Sequence, residues 1–207
     1  MTLSTRATNF LLKSERDSYL LTEADIRQNF LFNEAPVFEP LIDFQLKYGG
    51  YIFYAGLVPI KFNLLKGQGG YPQSSNTAII EFDRSETETP AYYFNCAISD
   101  YQMEFFLDEQ GIYYEDYEAM ASSFDKNIEH LALWDEVNVR DYELVFRDER
   151  LKTPNIDKEL GLDLIPEASD QYTLWFGNDL IYMKQWQGLI TLFVSKQYPN
   201  KELLLAL

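Results

Sequence analysis

Hydrophobic spacing along the chain predicts helices and short strands in a recognisable order. Residues 21–26 (LTEADI) open a helix, with Thr22 as cap and Asp25 three positions on as the reciprocal partner of a capping box. In residues 37–48, Phe38, Leu41, Ile42 and Leu46 fall on one helical face, with Pro40 in the first turn and Gly49-Gly50 as the stop. Phe124, Ile128, Leu131 and Trp134 recur at i, i+4, i+7 and i+10, which predicts a helix over 123–134, with Ser122 and Asp125 as a second capping box. Strands are expected at 51–62, interrupted by Gly56 and Pro59, and at 77–82 and 91–98. Residues 103–107 and 112–114 flank Asp108-Glu109-Gln110-Gly111 and read as a hairpin. A second hairpin is expected at 172–184 around Gly177-Asn178, then a last strand at 188–194. Residues 67–76 and 84–90 read as loops, and Thr153-Pro154 as the start of a short helix that Gly161 ends. The tail, 201–207, docks on the body as a short helix or strand, since a loose tail would expose five apolar residues. Links between strands are short, so the pairing expected is antiparallel and the class α+β: a mainly antiparallel sheet with helices packed on it.

Composition narrows the chemistry. The 207 residues are 46% hydrophobic, enough for a sizeable core, and include 15 Tyr, 15 Phe and 3 Trp. A single cysteine, Cys96, excludes an intramolecular disulfide framework and a thiolate zinc cluster, and its apolar surroundings mark it as a buried small side chain. A single histidine, His130, excludes a multi-histidine metal site, and beside the apolar stripe of its helix it reads as a rim or core residue. The glycine-rich stretch GQGGYPQSSN has no following Gly-Lys-Ser/Thr and reads as a turn, not a phosphate cradle. No cofactor, metal or catalytic residue is expected. No apolar run approaches the ~20 residues of a membrane span, and no secretory signal is read at the start, which sets the cytoplasm as the expected compartment.

Charge changes the picture most. Against 17 Lys and Arg stand 33 Asp and Glu, a net charge of -16. Residues 1–80 hold 7 bases and 7 acids, residues 81–150 hold 5 and 19, and residues 151–207 hold 5 and 7. The excess is concentrated in the middle third. Such a field repels phosphate backbones and anionic membranes, so neither nucleic acid nor membrane is an expected partner. It suits either solubility or the steering of a basic protein. Asp108, Glu109, Glu115, Asp116 and Glu118 cluster in and after the first hairpin, interleaved with Tyr113, Tyr114 and Tyr117. Tyrosines buried at an interface make strong anchors, so these eight residues are the candidate partner-binding set; the plain alternative places alternate tyrosines in the core and leaves the acids solvated.

Residues 21–26, the stretch PVFEPLIDFQLKYGG at 36–50, and FFLDEQGIYYEDYEAMASSFDKNIEHLAL at 105–133 occur in that order. Together they resemble the SUKH superfamily, which includes fungal cell-wall-synthesis regulators and bacterial immunity proteins. The likeness covers residues 21–137. The Leu-Gly pair common before the proline is replaced here by Phe32-Asn33-Glu34-Ala35, and some seventy residues follow the last matching helix. The resemblance implies an α+β domain over 1–137 that binds other proteins, with 138–207 as an extension packed on the same sheet. It brings no catalytic residues.

The leading expectation is therefore a protein that binds and blocks a basic, nuclease-like toxin domain of its own cell. A regulatory scaffold is the alternative. A carboxylate-dependent glycosidase is the remaining enzyme class, and nothing in the sequence selects the pair of acids it requires.

Overall fold

In the computed structural model the chain forms an α+β fold, described here for residues 2–17, 21–53, 59–67, 78–86, 89–99, 103–139, 141–150, 155–199 and 204. Gly56, Thr77, Thr153, Pro154, most of the 67–76 loop, part of the 84–90 turn and the tail except Leu204 lie outside those residues. Two compact units divide the chain: Leu11–Ala119, and Met1–Phe10 together with Met120–Leu207.

A helix not expected from the spacing, α1 (Thr5–Lys13), comes first. Ser4 caps it, its Oγ accepting the Ala7 N–H at 3.1 Å. Strand β1 (Glu15–Arg16) leads to α2 (Glu23–Phe32), where Thr22 and Asp25 form the expected capping box. Helix α3 (Glu39–Tyr48) carries Pro40 in its first turn. It ends at Gly49-Gly50, where Gly50 takes the left-handed φ of +88°.

The strands of the first unit form two sheets. The smaller runs β1, β2 (Tyr51–Phe53), β3 (Ile60–Phe62) and β6 (Ala97–Ile98). The larger runs β4 (Phe82–Arg84), β5 (Tyr92–Asn95), β7 (Phe105–Asp108), β8 (Tyr113–Glu115) and β9 (Glu118–Ala121). The apolar run at 91–98 is thus two strands in different sheets, broken at Cys96. That residue donates its N–H to Phe105 O and accepts from Asn63 N–H, each at 2.8 Å.

Residues directly opposite across a ladder share a face. Phe82, Phe94, Leu107 and Tyr113 therefore line one face of the larger sheet. Phe94 meets Phe30 of α2 and Phe38 before α3, with ring centroids 5.9 and 6.0 Å apart, and Phe62 meets Tyr113 at 6.2 Å. Asp83, Tyr93, Asp108, Phe106 and Tyr114 point to the opposite face.

In the second unit, α4 runs Phe124–Val139, ending five residues beyond the helix that the apolar stripe predicts. Its cap is Ser123, whose Oγ accepts the Lys126 N–H, while the Ser122 N–H donates to Asp170. The C-terminal strands do not extend the first unit's sheets. They form a sheet of their own, in the order β10 (Tyr142–Glu149), β14 (Leu189–Ser195), β13 (Ile181–Trp186), β12 (Thr173–Gly177) and β11 (Asp163–Leu164).

Both faces of this sheet are covered. Leu133 and Val137 of α4 pack with Ala168, Trp175 and Phe193 on one side. Ile156 of α5 (Ile156–Glu159), Leu162 and Leu204 pack with Ile181, Met183, Leu192 and Val194 on the other. Helix α4 therefore falls in the same compact unit as the C-terminal strands, and the division between the units lies at 119/120. Strand β10 is bulged between Leu144 and Phe146 and again before Glu149. The first bulge lets the consecutive Val145 and Phe146 both pack on the second of these clusters.

Candidate functional site

The β7–β8 turn is built on Asp108. Its Oδ1 accepts the N–H groups of Gln110 and Ile112 at 2.8 and 2.9 Å, and its Oδ2 accepts the Tyr114 hydroxyl at 3.0 Å. The residue is 1% exposed, and burial raises its pKa above the ordinary carboxylate value despite those donors. Gly111 closes the turn at φ +82°, and a Cβ there would come within 2.8 Å of Pro40. Glu109 accepts the N–H groups of Ala91 and Tyr92 at 3.2 and 3.1 Å. Tyr113 is buried, with its hydroxyl donating to Glu115 at 3.2 Å, and Tyr114 is buried beside Tyr93.

Of the eight candidate residues, then, Asp108, Tyr113 and Tyr114 are interior. Their side chains hold the hairpin and offer no surface to a partner. Glu109 is tied to the neighbouring strand, and Glu115 is half-buried. Asp116, Tyr117 and Glu118 remain on the surface.

These three form the second turn of the meander, between β8 and β9. Asp116 and Tyr117 have φ of +46° and +67°, the left-handed pair on which a two-residue type I′ hairpin turn depends. Glycine or asparagine takes this conformation cheaply; an aromatic side chain is held there at a cost of about 1–2 kcal/mol. Packing offsets it. The Tyr117 ring lies 4.5 Å from Phe106 and 5.1 Å from Tyr93 between centroids, edge-on to the latter. The Tyr117 hydroxyl donates to Asp83 Oδ2 at 2.7 Å, which pushes the phenol pKa up to about 12 and keeps it protonated. Asp116 Oδ1 accepts the Glu104 N–H at 2.8 Å. The Tyr117 ring is nonetheless 46% exposed.

The result is an aromatic side chain fixed in one pose and ringed by exposed Asp83, Glu104, Asp116 and Glu118. Asp83 and Glu104 belong to this surface although neither is among the eight residues. Glu104 lies at the start of the hairpin's first arm, whereas Asp83 lies outside the hairpin in sequence, and only the pairing of β4 with β5 and β5 with β7 brings it close. No ion pair reaches Asp83, Glu104 or Asp116 among the described residues. Arg84 is the one base between residues 81 and 119, and it points to the other face, over the Tyr92 ring.

The acidic run of the sequence is divided between the two units. Residues 81–119 hold one base and eleven acids, net -10, and fall in the first unit; residues 120–150 hold four bases and eight acids, net -4, and fall in the second.

The two residues with other chemical potential are both interior. Cys96 is fully buried, and burial raises its thiol pKa far above the ordinary value, which keeps it protonated and unreactive. His130 is 8% exposed; burial, and then the charge of Lys184, lower its pKa to about 3. It is neutral at physiological pH.

Among the described residues, no group of three or more His, Cys, Asp or Glu is placed to hold a metal ion, and no helix is long and apolar enough to cross a membrane. No family model, curated protein or solved structure matches the chain.

Proposed function

We propose that this chain is a protein-binding module of the immunity type, which captures a basic, nuclease-like toxin domain on the Tyr117 face of its first unit. The observation that carries the reading is the held, half-exposed Tyr117 ring beside Asp83, Glu104 and Asp116, which no ion pair reaches among the described residues. A partner that binds phosphate backbones must itself be basic, and a complementary acidic face steers its approach and rejects neutral competitors. A guanidinium from such a partner is the group this surface suits best. It can lie on the phenol ring and reach Asp83 or Asp116 with its fork of donors. The likeness of residues 21–26, 36–50 and 105–133 to the SUKH superfamily supports the same reading. A regulatory scaffold would use the same surface with a partner that is not a toxin.

The test is a low-salt pull-down, then association kinetics with the recovered basic partner. Glu104, Asp116 and Glu118 are reversed together to lysine. Asp108 and Glu109 are left intact, because both hold the hairpin. The folded triple variant should associate at least tenfold more slowly at low salt, with the difference shrinking as salt rises. An unchanged rate would place the contact surface elsewhere.

A further inference from the structure

We draw no further inference here: the strongest candidate, the exposed apolar trio of Leu31 and Phe32 at the end of α2 with Ile79 beside Asn33, carries nothing because nothing in the structure shows what covers it.

Discussion

Tyr117 couples a local strain to an exposed surface, and its two parts separate by substitution. Tyr117→Phe removes only the hydroxyl bond to Asp83 and keeps the ring against Phe106 and Tyr93. Loss of one largely solvated hydrogen bond should cost about 0.5–1 kcal/mol in urea unfolding and leave partner dissociation within about twofold. Tyr117→Ala removes the ring and should speed dissociation tenfold or more, a cost of about 1.4 kcal/mol, if the ring is the anchor. Equal dissociation rates for the two variants would show that the ring does not touch the partner.

His130 makes a second residue-level prediction, because only its neutral form is accommodated in the fold. It is buried near the Ala168 carbonyl, with Lys184 and Lys126 disfavouring protonation and Asp170 opposing them. The unfolded chain protonates this group near pH 6.5, whereas the folded chain resists down to about pH 3. Its contribution is therefore fully present above 6.5 and is lost as pH falls through that window, by about 1.4 kcal/mol per pH unit. His130→Gln removes the titration. Urea unfolding at pH 6.5, 5.5 and 4.5 should show a steeper decline for the parent chain than for the variant, and parallel declines would refute the assignment.

Legibility at the scale of elements followed local chemistry. The capping box at Thr22, Pro40 in the first turn of α3 and the Asp108–Gly111 turn depend on neighbours within four residues, so the sequence carries them openly. Strand β9 was hidden because Asp116-Tyr117 lacks the Asn-Gly signature of its turn, and Glu-Ala-Met-Ala favours a helix in isolation. Strand β10 was hidden because its bulges break the period-2 alternation. Helix α1 had one legible signal, Ser4 three residues before Ala7, but the partner that anchors its start is distant. The Ser4 N–H and Oγ donate to the Glu129 carboxylate at 2.6 and 2.7 Å, and Arg6 lies 3.9 Å from it. Glu129 is 1% exposed, so its removal leaves donors stranded. Glu129→Ala should cost about 2–4 kcal/mol of stability, and amide exchange should accelerate first at residues 5–10. An exchange pattern unchanged at α1 would mean that the first ten residues are held by other contacts.

For the whole molecule, the sequence told the class but not the partition. An α+β architecture follows from short strand links, whereas the separate C-terminal sheet depends on α4 packing with Trp175 and Phe193, a choice made at long range. That partition also divides the charge. The unit Leu11–Ala119 carries seven bases and eighteen acids, net -11, and the other carries ten bases and fifteen acids, net -5. Like charges repel most in the compact state, so the first unit bears the larger self-repulsion at low ionic strength. Screening shortens from roughly 30 Å at 0.01 M to roughly 8 Å at 0.15 M, within the dimensions of one unit. Moving between these salts should therefore stabilise the first unit more than the second. Amide exchange separates them without dissection: protection should rise several-fold at buried strands of the first unit, such as β5 and β7, and less at β13 and β14. Chloride and sulfate at matched ionic strength distinguish screening from exclusion at the surface, since only the latter differs strongly between the two anions. A rise of equal size in both units would show that the acids of residues 81–119 are spaced widely enough to carry little mutual repulsion. The field expected to steer a basic partner would then be correspondingly weak.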